Sequence, residues 1–437
     1  MKYENYKDSG IEWIGEVPSH WEVMPIKRTG SFENGLTYSP TDICDENGVL
    51  VLRSSNIQND KLNFEDNVYV AKCPLSLLVK SGDIIICSRN GSASLVGKCA
   101  IVEGNINATY GAFMMRYRPI CKSNTVFSYY LLQTALKFYK GLYSTTTINQ
   151  LTKGVIGQIY VSYPPFPEQQ AIATYLDEKC GEINHAIDVQ KKKIDILGEL
   201  KQTIITDAVT KGLNPNAPMK DSGMEWIGQV PSHWLVCKLK NYSKIILGKM
   251  LMSNPPKGEE KKYTLEKYLK SKNVGWLQVY DNYDEVEEMW FNKYEKSIYR
   301  LQINDLVMNE GGDIGKIGLW NNTEYSCYIQ NSINKISVIG NLSPFYLQYL
   351  LFAIAKTNYF WSIVNPISIA HLTKEKLSNT PILVPSFSEQ QAIVKFLDEE
   401  CAKIDAKISK ANRRIELLEE LKQSIITEAV TGKIKVC

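Results

Sequence analysis

No stretch of the sequence approaches the roughly 18 apolar residues of a membrane-spanning helix, and the opening MKYENYKDSG lacks the apolar core of a secretion signal. A soluble, cytoplasmic protein with no membrane partner is expected. The ten cysteines include no Cys-x-x-Cys pair, the nearest two being Cys87 and Cys99, so neither a zinc knuckle nor a disulfide framework is indicated. His20, His185, His233 and His371 have no metal-ligand spacing, and no metal is expected. Charge of one sign is scarce as well. Fifty Lys and Arg against 47 Asp and Glu leave a formal net charge of +3, which permits nucleic-acid binding without pointing to it. A cofactor loop is missing: Gly91 to Lys98 has five residues between its glycines where a phosphate-binding loop has four, and Cys99 replaces the hydroxyl. Asn254, Pro255 and Pro256 open like the motif with which amino-methyltransferases hold a flipped adenine, but Lys257 stands where the stacking ring belongs. A proline turn is the simpler reading. No catalytic residue and no cofactor are assigned.

What the sequence does contain, it contains twice. A chain of 437 residues exceeds one hydrophobic core, and two or more domains follow. EQQAIATYLDEKC begins a proline-free stretch from Glu168 to Thr210, and EQQAIVKFLDEEC begins its copy from Glu389 to Thr431. Ile172, Leu176, Cys180, Ile183, Ile187, Gln190, Ile194, Leu197, Lys201, Ile204 and Ala208 follow at steps of three and four. Ile393, Leu397, Cys401, Ile404, Ile408, Ala411, Ile415, Leu418, Lys422, Ile425 and Ala429 repeat the pattern in register. Such a stripe reads as a coiled-coil seam on a helix roughly 65 Å long, and each copy is the most economical partner for the other.

A second repeat precedes each remaining block: KDSGIEWIGEVPSHW from Lys7 and KDSGMEWIGQVPSHW from Lys220. Its tryptophans, Trp13, Trp21, Trp226 and Trp234, read either as anchors of an irregular segment that docks elsewhere or as ordinary packing residues. The blocks between are mixed, with short β-rich runs such as Asn67 to Val70, Asp83 to Cys87 and Phe113 to Tyr117, a helix opening near Ser123 or Asn124, and a counterpart opening at Ser343 and Pro344. SGDIIICSRNGSASLVGK from Ser81 has a shadow in INDLVMNEGGDIGKIG from Ile303. The order is therefore aromatic segment (1–21), module (22–165), long helix (166–211), linker and aromatic segment (212–234), module (235–385), long helix and C-terminus (386–437). The fold class is α+β, two mixed α/β globular domains separated by a long antiparallel two-helix coiled coil with a pseudo-twofold internal repeat. In that arrangement Thr431 neighbours the segment from Asp8 to Trp21.

The two halves diverge unevenly: connecting parts are nearly duplicated, modules are not. A seam alone does not require the surface identity at the helix openings, so Glu168, Gln169, Gln170 and Glu389, Gln390, Gln391 are expected to face a partner, twice. With its WIG-VPSHW segments, P-x-x-EQQ-I openings, and LRSSNI followed by a GD-I strand, the whole chain resembles the specificity subunit of a type I restriction-modification enzyme. The second module departs from the pattern, having no LRSSNI equivalent and WLQVYDN near that place. The resemblance implies a non-enzymatic subunit whose modules are target-recognition domains, each reading half of a bipartite, asymmetric double-stranded DNA site. The helices would hold two modification (methyltransferase) subunits, which restriction subunits join.

Base reading needs bidentate donors and acceptors on loops. In the first module Arg53, Ser54, Ser55 and Asn56, then Arg89, Asn90, Ser92 and Lys98, then Thr145, Thr146, Thr147 and Asn149 meet that need. In the second, Tyr280, Asn282, Asn309, Glu310, Lys316, Gln330 and Asn331 do. The acidic residues Asp284, Glu285, Glu287 and Glu288 are expected to face away from phosphates. Two rivals stand beside this reading: a self-sufficient methyltransferase or nuclease, and a protein adaptor that never touches DNA.

Overall fold

The computed structural model describes residues 2–140, 150–357, 359–364 and 371–436. Two compact units form, one from residues 1–190 with 412–437 and the other from 191–411. Each is built the same way from different residues.

In the first unit a strand too apolar for solvent on either side, Ile84–Cys87, sits inside a four-stranded sheet between Cys99–Ile101 and Met114–Pro119, with Gly30–Asn34 at the far edge. Side chains alternate along a strand, so its two faces serve two cores. Ile84 and Ile86 pack towards the helices with Met115, Phe127, Leu131 and Ala135, whereas Ile85 and Cys87 pack with Leu50, Leu52, Val102 and Tyr110 against a second sheet. That second sheet contains a parallel pair, Val49–Leu52 with Ala108–Tyr110. The second unit repeats the device. Leu306–Asn309 pairs with Ile317–Leu319 and Ile333–Val338, sending Leu306 and Met308 to the helical core and Val307 to the other. The module helices are Thr125–Phe138, capped by Asn124, whose side chain accepts from the Phe127 amide at 2.9 Å, and Pro344–Lys356, capped by Ser343.

The long helices run Phe166–Lys211 and Phe387–Val430. In the first unit the opening of one lies beside the close of the other: Ile172, Leu176 and Cys180 share a core with Ile426, Ala429 and Val430, and Lys422 Nζ donates to Asn184 Oδ1 at 3.1 Å. In the second unit Ile393, Leu397 and Cys401 meet Ile205, Ala208 and Val209, and Lys201 pairs with Asp405 at 2.7 Å. The pairing is antiparallel in both. Lys201 and Lys422, which the heptad-like spacing places in the seam, keep their stems there and carry their charges across to the other helix.

The segments carrying the repeated tryptophans are not irregular. Each is an antiparallel hairpin, Tyr6–Asp8 with Glu16–Pro18 and Met219–Asp221 with Gln229–Pro231. Their rings pack inside their own unit: Trp21 and Trp234 are fully enclosed, Trp13 lies 5.8 Å from Phe138, and Trp226 lies 5.2 Å from Tyr359. As expected from the repeat order, the two termini are neighbours, with Lys433 Nζ donating to the Glu16 carbonyl at 2.9 Å.

Both long helices close on a left-handed glycine, Gly212 (φ +72°) and Gly432 (φ +73°), seated against the tryptophan of the adjoining hairpin. At Gly432 the Lys433 amide returns to the Glu428 carbonyl at 2.8 Å, the closure that a left-handed residue permits. A Cβ on Gly432 would overlap the Pro18 ring, whereas on Gly212 it would lie 3.1 Å from the Trp234 ring. Both Gly→Ala substitutions are expected to lower the urea midpoint through the strained φ, and Gly432→Ala to cost about 1–3 kcal/mol more through overpacking. Equal midpoints in the two variants would contradict this.

Candidate nucleic-acid interface

In the first unit three chain segments converge on an open cleft of about 960 Å³ whose walls include Tyr38, Arg53, Ser54, Arg89, Asn90 and Phe113. The strand Val49–Leu52 ends in a single tight turn, Ser54–Asn56, and the Asn56 side chain holds that turn shut. Its Oδ1 accepts from the Arg53 amide at 2.9 Å, and its Nδ2 donates to the carbonyls of Asn63 and Asp66 at 3.0 and 3.1 Å. Asn56 is completely buried, so this residue, expected to meet DNA, instead builds the loop from within. The next segment leaves the strand Ile84–Cys87, placing Arg89 over the Phe113 ring at 5.2 Å and Asn90 Nδ2 3.2 Å from Ser54 Oγ. Ser92 lies beyond them, bonded to Ser94 at 2.7 Å; Lys98 is half-buried, its carbonyl tied to the Cys87 amide. Thr145, Thr146, Thr147 and Asn149 lie outside the described residues.

The second module does contain a counterpart of Leu-Arg-Ser-Ser-Asn-Ile. It is Leu269, Lys270, Ser271, Lys272, Asn273 and Val274, just upstream of the WLQVYDN stretch, which corrects the expectation that this module has none. Asn273, buried like Asn56, accepts from the Lys270 amide at 3.1 Å and donates to the Tyr280 carbonyl at 3.1 Å. The shared spacing Leu-x-Ser-x-Asn was the available signal. Nor does the acidic run stand clear of this loop: Glu287 pairs with Lys270 at 2.7 Å and Lys272 at 2.8 Å. Those two ammonium groups hold its carboxyl down to about 2.

Asn309 is buried and donates to the Ser271 carbonyl at 3.2 Å, so it too supports the loop rather than lining its surface. Glu310 stands 3.9 Å from His371; burial raises its carboxyl above the ordinary value although His371 opposes the shift. Lys316 is paired with Asp313, Gln330 is bonded to Asn331 and Ser332, and Asn282 is bonded to Glu285. Tyr280 is half exposed.

The helix openings have partners within the chain. Glu168 accepts from Trp21 Nε1 and from Tyr3 Oη, both at 2.9 Å, and lies 2.6 Å from His20 Nε2. Gln169 and Gln390 are wholly buried. Gln169 accepts from the Asn124 amide and donates to the Pro164 carbonyl; Gln390 accepts from Ser343 and donates to Pro385 and Asn341. Glu389 receives Trp234 at 3.3 Å and His233 at 2.8 Å. Gln170 and Gln391 are exposed to solvent, and Glu389 keeps 38% of its side chain exposed. Among the described residues no group of three or more His, Cys, Asp or Glu is placed to hold a metal ion, and no helix is long and apolar enough to cross a membrane.

Two units of one plan, each with a differently furnished loop cluster, define a two-module recognition protein. The family model described as the type I restriction modification DNA specificity domain matches residues 18–196 and again 231–419. The chain belongs to that family. It is 25% identical over 451 residues to the type I restriction enzyme MjaVIII specificity subunit of Methanocaldococcus jannaschii, covering all of this chain and 97% of that one. It is 23% identical over 438 residues to the EcoKI specificity subunit of Escherichia coli K12, covering 96% and 90%. A chain solved in work on assembly and conformational transition of a type I restriction-modification system shares the fold, with a TM-score of 0.68 at 17% identity, covering 96% of this chain and 99% of that one.

Burial by itself would raise Glu168, but the hydrogen bonds from Trp21, His20 and Tyr3 outweigh it and leave the carboxyl below its ordinary value of 4.5. A depressed carboxyl stabilises the fold above its unfolded pKa, and that contribution fades as pH falls through the folded value. Wild type should therefore melt above Glu168→Gln at pH 7, with the gap closing as pH falls below 4.5. A gap that stays constant with pH in thermal melts would refute the role given to the charge.

Proposed function

We propose that each unit reads one half of a bipartite, asymmetric sequence in double-stranded DNA, and that the chain serves as the recognition scaffold for modification subunits, which restriction subunits join. The observation that carries this is the pairing of a common framework with different loop chemistry. Asn56 and Asn273 build the same turn, yet one turn carries Ser54 and Ser55 and the other Ser271 and Lys272. A scaffold that holds loops rigidly while their outward residues vary is what sequence readout asks of a protein. Catalysis belongs to the partners, which carry the methyl-donor site. The exposed Gln170 and Gln391, with the outer faces of the helix openings, are the surfaces offered to the modification subunits. The adaptor alternative gives no reason for clustered Arg, Ser and Asn in the first cleft.

Replacing residues 22–165 by the matching module of a related subunit should change one half of the recognised sequence and leave the other intact. Mapping modified bases in the genome of cells that also produce the modification partner reads this directly. If both halves changed together, the two modules would not be independent readers.

Glu287 offers a second measurement. Its carboxylate occupies Lys270 and Lys272, and Glu287→Gln releases both for phosphates. The assembled complex should then bind DNA more tightly, and the slope of log affinity against log salt should steepen by about 1–2. A gel-shift series from low to moderate salt with no change in slope would show that this loop faces away from the duplex.

A further inference from the structure

Two arginines face the first cleft, and the structure employs them differently. Arg53 is already engaged: one terminal nitrogen lies 2.8 Å from an Asp66 carboxylate oxygen and 3.1 Å from the Asp66 carbonyl, and its Nε is buried. That guanidinium fastens the turn to the segment around Asp66. Arg89 lies over the ring of Phe113, and among the described residues its side chain makes no hydrogen bond or ion pair. Phe113 is 59% exposed, so the pair stands at the open side of the cleft. The backbone beneath is fixed, with the Arg89 amide donating to the Phe113 carbonyl at 3.1 Å and a further bridge to Gln150.

A guanidinium is a planar fork of N–H donors, and one held over a ring without a hydrogen-bond partner has that fork to offer. Such a fork matches two acceptors side by side. On base edges in the major groove, guanine offers that pair in N7 and O6, whereas adenine offers one acceptor and one donor. We infer that Arg89 reads a guanine in the half-site of the first module, an inference resting on the reading of that module as a DNA reader. Among its described residues the second module lacks the device. Gly311 takes the place of Arg89, bridging His371 as Arg89 bridges Gln150, and Lys270 and Lys272 are committed to Glu287. The Arg89 contact therefore belongs to the half-site of the first module only.

The full-length chain, produced with its modification partner, tests this by genome-wide mapping of modified sites for wild type, Arg89→Ala, Arg89→Gln and Arg53→Ala. In Arg89→Ala one guanine of the first half-site should relax, its preference over other bases falling roughly tenfold or more, with the second half-site unchanged. Arg89→Gln should move that position towards adenine, since a carboxamide supplies one donor and one acceptor. Arg53→Ala should reduce modification at all sites without altering the motif. Thermal melts of each variant separate misfolding from lost contacts, and Arg89→Gln, which keeps a long polar side chain, still reports if Arg89→Ala does not fold. An unaltered motif in both folded Arg89 variants overturns the inference, as does uniform loss with no relaxed position, the mark of a phosphate contact. Relaxation at a base other than guanine overturns it equally. A wild-type motif that is not bipartite would overturn the underlying reading too, while a bipartite motif whose guanine ignores Arg89 overturns this inference alone.

Discussion

One buried tryptophan per unit carries the rest of the structure. Trp21 presses its ring on the glycine that ends the second long helix and gives its N–H to Glu168 at the start of the first. Trp234 does the same between Gly212 and Glu389. Each ring thus joins the close of one helix to the opening of the other, and the chain leaves each tryptophan directly into a strand of the module, Glu22–Pro25 or Leu235–Lys238. Truncating such a side chain costs about 3–5 kcal/mol in general. Here the damage would reach the helix pair and the module root at once, which explains why the hairpins are nearly identical in the two halves.

From that root outward, jobs are kept while residues change. Asp83 with Arg118 corresponds to Asp305 with Ser337, a charged pair in one unit and a hydroxyl bond in the other. Arg116 donates to the carbonyls of Ser76 and Leu78; Lys335 at the matching register donates to those of Ile298 and Arg300, and burial lowers the Lys335 ammonium below its ordinary value. A buried cation is tolerated in each because backbone carbonyls solvate it in place of water. These exchanges show a framework selected for geometry, which leaves loop surfaces free to diverge without loosening the fold.

That freedom appears as chemistry at the two loop clusters. The first presents a guanidinium over an aromatic ring, beside serine and asparagine. The second is self-neutralised, its lysines shared with Glu287, its Glu310 3.9 Å from His371. Two readers with such different donors and acceptors are suited to an asymmetric target, and their common helices make them one subunit.

The long helices, the module helices with their capping residues Asn124 and Ser343, and the neighbouring termini were all legible in the sequence, because periodicity, caps and repeat order are written in adjacent residues. The specificity-subunit family was legible for the same reason, its motifs being short and duplicated. The roles of individual polar residues were not. Gln169 reads as a surface residue in a helix opening, but a module helix brings its capping segment onto it and buries it. Asn56 reads as a base contact, yet it closes a turn by bonding carbonyls seven and ten residues away. The loop of Lys270 to Asn273 went unrecognised because its defining feature is a buried amide, and its outward residues differ from those of the first loop. Local sequence sets backbone periodicity, whereas only tertiary packing decides whether a polar side chain meets solvent, a ligand or its own chain.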